Sequence, residues 1–315
     1  MKKTAFLFAG QGSQQTGMGE RFYESFPEFR DVIDGIHLDF NLKEACFDNP
    51  DNMLKKTRYT QPCLVAFACG VTDIMTNKGV VPDYVCGLSL GEYSALYAAG
   101  VWNLEDTMRI VSSRGRAMEH ASEGVDSAMV AITGMGLEEI EECCARASQE
   151  GLVSVCNLNC PGQIVIGGER RAVSAAARQA KAQGARRCVP LPVSGPFHTA
   201  FMEPAAETLK ELFRTITFEP PKAVVAFNVL GGPNIGGEPI DRLLVRQVKC
   251  TVRMQSCIEY LFNQEVDLFV EIGPGTTLQG FVKKTADYLR IDGDKYRVLS
   301  INNPEDISAV LDIIS

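Results

Sequence analysis

At 315 residues, with 45% hydrophobic and 22% charged, the chain is long enough to bury a sizeable core in one large or two modest domains, and too apolar to be disordered. Its formal charge of −8 excludes a surface built to coat nucleic acid, which needs clustered positive charge. No run approaches the ~18 apolar residues of a membrane span, and the apolar stretch after Lys3 yields to polar residues 11–15 too soon for a signal peptide; a cytoplasmic, single-subunit protein is expected.

Residues 5–9 form a short apolar run ended by Gly10, which reads as a buried strand. A helical pattern follows, clearest at 63–75, and then a second strand at Tyr84–Gly87. A long helix is expected over 105–120, with later strands at Val224–Phe227, Leu268–Ile272 and 298–301. Strands alternating with helices imply a largely parallel sheet.

The middle of the chain has a different rhythm. A strand at 128–133, a helix at 137–149, strands at 152–157 and 163–167, a helix at 171–183 and a strand at 187–193 give β-α-β-β-α-β. That order is the ferredoxin-like unit. The expected organisation is a large α/β domain, residues 1–124 and 196–315, carrying a ferredoxin-like insert at 125–195. The eleven cysteines, scattered and odd in number, lack paired zinc-like spacing; reduced, mostly buried thiols and no metal site are expected.

Gly87-Leu88-Ser89-Leu90-Gly91 follows a strand and opens a helix. In that setting G-x-S-x-G projects a serine hydroxyl from a strained turn; the same residues also read as a tight turn whose serine caps the helix. A nucleophilic serine needs a base. Of His37, His120 and His198, the last sits where the chain leaves the insert, at the mouth of an interdomain cleft. It reads as the base or as a structural turn histidine. No aspartate stands out as a third member, so a triad and a dyad held by a backbone carbonyl both remain open.

Arg114 falls in the apolar sector of the 105–120 helix, in line with Ile110 and Met118, while Arg109 and Arg116 fall opposite. A buried guanidinium needs an anion or many acceptors. Its partner is either an internal carboxylate or a substrate carboxylate held bidentately. The glycine-rich loop Gly10-Gln11-Gly12 fits neither a dinucleotide fingerprint nor a P-loop. It can offer the Gln11 N–H to an oxyanion beside the N–H of Leu90.

Phe8-Ala-Gly-Gln-Gly-Ser-Gln14, Thr60-Gln61-Pro62, Gly87 to Glu92, Arg114-Gly115, Asn159-Cys-Pro-Gly-Gln163, Gly195-Pro-Phe-His198, Val245-Arg-Gln247 and Glu271-Ile-Gly-Pro-Gly275 stand in the order seen in malonyl-CoA:acyl carrier protein transacylases. The chain resembles that family over nearly its whole length. The resemblance implies an α/β-hydrolase-like large domain with a ferredoxin-like insert, and malonyl transfer for fatty acid synthesis through a serine ester. It implies Ser89 as nucleophile, His198 as base, Arg114 as partner of the malonyl carboxylate, and Gln11 and Leu90 in the oxyanion hole. Gln247 is similar to the residue near which the family holds its histidine by a backbone carbonyl, and to a polar acyl-pocket position. Phe197 resembles the malonyl-type choice, where bulk disfavours an α-methyl branch. One departure is Leu88, often His in the family. No cofactor beyond the coenzyme A thioester substrate is implied.

The implied partner, acyl carrier protein, is acidic, which points to Arg116, Arg170, Arg171, Arg186, Arg187 and Lys249 as candidate contacts. The same elbow and histidine would serve an esterase or thioesterase. A silent carrier-docking module, or a loader for a polyketide synthase carrier, are the other readings.

Overall fold

Alternation with period two organises the large domain. In a computed structural model, which describes residues 2–314, the ten strands are β1 (Thr4–Phe8), β2 (Tyr84–Gly87), β3 (Ser127–Thr133), β4 (Val153–Cys160), β5 (Gln163–Glu169), β6 (Arg187–Pro190), β7 (Val224–Phe227), β8 (Gly232–Pro233), β9 (Leu268–Ile272) and β10 (Arg297–Ile301). Six of them form one sheet in the order β10-β9-β1-β2-β7-β8, parallel except for the β7–β8 pair. Phe6, Phe8, Val85 and Val225 face one core, which takes in helices Thr57–Asn77 and Leu104–His120. Ala5, Leu7, Cys86 and Ala226 face the other, closed by helices Met254–Asn263 and Thr277–Leu289. Burial on both faces is why these strands read as continuous apolar runs.

The remaining four strands form an antiparallel sheet in the order β4-β5-β3-β6. Val130, Ile132, Ile164 and Ile166 pack under helices Leu137–Ala147 and Arg170–Ala182, a ferredoxin-like arrangement. The alternate residues Met129, Ala131 and Val165 face the large domain and line a cleft there. Backbone bonds between Leu158 N–H and Val252 O (2.8 Å) and between Val252 N–H and Cys156 O (2.9 Å) fasten the small sheet to the large domain.

Several boundaries differ from expectation; the strand read to 157, for one, runs on to Cys160, and the helix read to 149 ends at Ala147. The helix read from 63 begins at Thr57 and carries Pro62 inside it; so near the helix start, proline removes a single i→i−4 bond. The strand read to 193 ends at Pro190, because Pro192 has no N–H to continue the ladder. All eleven cysteines are free, and Cys250 is exposed.

Candidate active site

The elbow is built from close backbone contacts that exclude side chains. A Cβ on Gly87 would sit 1.9 Å from the Gly91 carbonyl carbon, and one on Gly91 would sit 2.1 Å from Phe8 O. Between them Ser89 holds φ 53°, a left-handed conformation costly for any residue with a Cβ. The conformation lifts the hydroxyl off the sheet at the start of helix Gly91–Ala98. Ser89→Gly and Ser89→Ala both lack the hydroxyl, so comparing them isolates this strain. Thermal unfolding is expected to find the glycine variant more stable by about 1 kcal/mol; equal stabilities would mean the turn is unstrained.

Ser89 Oγ lies 2.7 Å from His198 Nε2, and His198 Nδ1 donates to the backbone carbonyl of Gln247 at 2.8 Å. The histidine is thus oriented by a carbonyl, and the arrangement is a dyad. Burial, followed by the nearby Arg114 cation, pushes the His198 pKa down to about 4, while the Gln247 carbonyl acts the other way. The imidazole is therefore neutral and able to accept a proton throughout the neutral range. The rate of Ser89 acylation is expected to hold constant from pH 8 down to about 5 and to fall as His198 protonates near pH 4. An acidic limb at the ordinary histidine value of about 6.5 would contradict that environment.

Arg114 is 1% exposed. One guanidinium nitrogen, Nη2, donates to Ser89 Oγ and to Gln247 Oε1, both at 3.1 Å, and the guanidinium carbon lies 4.9 Å from the centre of the Tyr93 ring. Its Nε–H has no partner, and among the described residues no carboxylate forms an ion pair with it. Burial lowers its pKa, against the raising effects of Tyr93 and Glu92. A buried cation without an anion is costly unless an anion arrives with a ligand.

Gly10 packs so tightly that a Cβ would lie 2.5 Å from Leu88 O, which brings the next residue, Gln11, to the rim of the elbow. The Gln11 side chain is occupied, donating to Thr57 Oγ1 (3.0 Å) and accepting from Gln61 Nε2 (3.4 Å). The backbone N–H groups of Gln11 and Leu90 make no bond among the described residues. Gln11, Leu88, Ser89, Arg114, Phe197 and His198 line one cleft of about 280 Å³, closed from the insert side by Met129, Asn159 and Val165. Leu90, the next residue after Ser89, is buried and does not line it. Gln247 sits behind the cleft and donates from Nε2 to Ser89 O at 2.6 Å.

Two further residues, neither assigned a role from the sequence, brace the elbow. Asn228, just beyond β7, accepts the Ser89 N–H on Oδ1 (2.8 Å) and donates from Nδ2 to Gly87 O (2.8 Å). Glu92 accepts the Asn228 backbone N–H at 2.5 Å. Both are fully buried, and burial pushes the Glu92 pKa up to about 8. The one available signal was a polar residue ending an otherwise apolar strand. Of the six basic candidates, Arg116, Arg170, Arg171 and Lys249 are in ion pairs with Asp39, Asp126, Glu150 and Glu203.

A serine–histidine dyad on a strand–helix elbow, with free amides beside it and a cation lacking an anionic partner in the same cleft, has the geometry of an acyl-transfer class of site. The sequence profile described as "Acyl transferase domain" matches residues 5–309, and the chain belongs to that family. It is 38% identical to the malonyl CoA-acyl carrier protein transacylase of Bacillus subtilis, over 99% of this chain and 97% of that one. Among solved structures it is similar to the malonyl CoA-acyl carrier protein transacylase of Clostridium perfringens, with TM-score 0.91, 37% identity and coverage of 99% and 97%. It is also similar to a malonyl-transacylase solved in complex with its type II PKS acyl-carrier protein, with TM-score 0.91, 34% identity and coverage of 99% of each chain.

Proposed function

We propose that the chain transfers malonyl from malonyl-CoA to the phosphopantetheine thiol of acyl carrier protein, supplying fatty acid synthesis. The observation that carries this reading is Arg114, a buried cation lacking an anionic partner 3.1 Å from the serine hydroxyl. A hydrolase of neutral esters has no use for it; an acyl group ending in a carboxylate completes it.

In the first half-reaction His198 Nε2 takes the proton of Ser89 Oγ as the oxygen attacks the thioester carbonyl. The N–H groups of Gln11 and Leu90 hold the oxyanion. The C–S bond breaks, the coenzyme A thiolate takes the proton back from His198, and malonyl remains as an ester on Ser89. In the second half-reaction His198 takes the carrier thiol's proton, sulfur attacks the ester, and the proton returns to Ser89. Gln247 orients His198 through its carbonyl and Arg114 through its side chain. Phe197 narrows the cleft, and Leu88 supplies an apolar wall in place of the family's common histidine. No cofactor enters this scheme: the thioester itself supplies the acyl group.

In this reading the insert, residues 125–195, is the lid of the acyl cleft. Arg186 and Arg187, which carry no ion pair among the described residues, are the first candidates for contact with an acidic carrier. The protein would act in the cytoplasm as a monomer; no helix among the described residues is long and apolar enough to cross a membrane.

The decisive test follows the fate of the ester. Protein acylated by malonyl-CoA is chased with holo acyl carrier protein or with buffer. Discharge onto the carrier with slow loss to buffer is expected; rapid hydrolysis with no carrier product would make the protein a thioesterase.

A further inference from the structure

The left-handed conformation of Ser89 must be imposed by its surroundings, and the bonds that impose it converge on one side chain. β2 and β7 pair in parallel, with Cys86 opposite Ala226. Two residues past that pair, Asn228 therefore lies beside the elbow. Its Oδ1 accepts the Ser89 N–H at 2.8 Å and the Gln247 Nε2–H at 3.4 Å, and its Nδ2 donates to Gly87 O at 2.8 Å. Its own backbone N–H is held by Glu92 Oε2. Gln247 closes the circuit, since its carbonyl holds His198 and its side chain holds Ser89 O. Asn228 is fully buried and does not line the cleft, so it cannot touch the acyl group.

We propose that Asn228, anchored by Glu92, is a positioning residue that locks the backbone of Ser89 and keeps its hydroxyl in line with His198. Amide oxygen and amide nitrogen grip opposite sides of the turn, Ser89 N–H and Gly87 O; a carboxylate, which only accepts, cannot do this, and a hydroxyl has only one atom to serve both sides. Glu92 sets the height of Asn228 against the sheet. Displacing a reacting atom by about 1 Å costs on the order of 10²-fold in rate.

This role rests on Ser89 being the nucleophile, and the test separates the two claims. Single-turnover acylation of Ser89 at saturating malonyl-CoA is measured by intact mass for wild type, Asn228→Ala, Glu92→Leu and Glu92→Gln. The dissociation constant of malonyl-CoA is measured with each change placed in a Ser89→Ala background, and the melting temperature is recorded for all. Asn228→Ala is expected to lose roughly 10²-fold in acylation rate with malonyl-CoA binding nearly unchanged. Glu92→Leu should lose a similar factor. Glu92→Gln, which keeps an oxygen for the Asn228 N–H, should recover most of it. The Asn228→Ala/Glu92→Leu double variant should be little worse than either single, because the two act through one chain of bonds.

Wild-type acylation rates in Asn228→Ala, parallel losses of rate and binding, or additive losses in the double variant would each overturn the positioning role. If Asn228→Ala does not fold, the contrast of Glu92→Leu with Glu92→Gln decides it alone. Absence of any acyl-Ser89 in the wild type would instead overturn the reading of Ser89 itself.

Discussion

Replacing Ser89 by alanine is expected to abolish malonyl transfer, with a loss on the order of 10⁶-fold, and His198→Ala should do nearly the same. In the proposed mechanism the two residues form one unit, the proton leaving along the 2.7 Å contact between Oγ and Nε2. Without the histidine the hydroxyl keeps its proton, and without the serine the histidine has nothing to activate. Hence the double variant should be no worse than either single, and steady-state transfer to holo carrier protein measures all three. What remains should come from binding and the oxyanion amides alone. Fold should survive in both, since Asn228 and Gln247 grip the backbone of Ser89 rather than its side chain. A His198→Ala enzyme that still acylated within tenfold of wild type would mean another base serves the serine.

Arg114→Ala should change which acyl group is carried. With the guanidinium gone, a malonyl carboxylate would be buried without a partner, a loss of about 2–5 kcal/mol, or roughly 30- to 4,000-fold in kcat/KM. Acetyl-CoA has no carboxylate to strand, so its kcat/KM should stay within about tenfold of wild type. Arg114 also donates to Ser89 Oγ and depresses the His198 pKa. Its removal should therefore move the acidic limb of the pH profile upward from about 4. Arg114→Lys keeps the charge but not the planar fork, and should fall between. Parallel losses for malonyl and acetyl would show that Arg114 serves only the dyad.

How much of this was legible in the sequence follows from how local each signal is. Ser89 was legible because strand, elbow and helix are contiguous and Gly87 and Gly91 mark the only backbone that fits. Arg114 was legible because a charge on an apolar helical face breaks a short-range pattern, and it is 1% exposed. The ferredoxin-like insert announced itself by periodicity: cleft-facing Met129 and Ala131 alternate with helix-facing Val130 and Ile132.

Other features depend on contacts between distant segments. Asn228 binds Ser89 across 139 residues of chain, a contact made by parallel pairing that no local pattern encodes. Triad and dyad could not be separated beforehand, because the group that orients His198 is a backbone carbonyl, Gln247 O, and every residue has one. Whether Arg114 had an internal carboxylate also waited on the fold. Glu92, its nearest acidic influence, spends Oε2 on Asn228 instead.

The most direct test of the central claim is intact-protein mass spectrometry after brief mixing with malonyl-CoA, with Ser89→Ala in parallel. One malonyl adduct on the wild type, mapped to Ser89, and none on the variant are expected. An unmodified wild type, or an adduct that persists in Ser89→Ala, would contradict the claim.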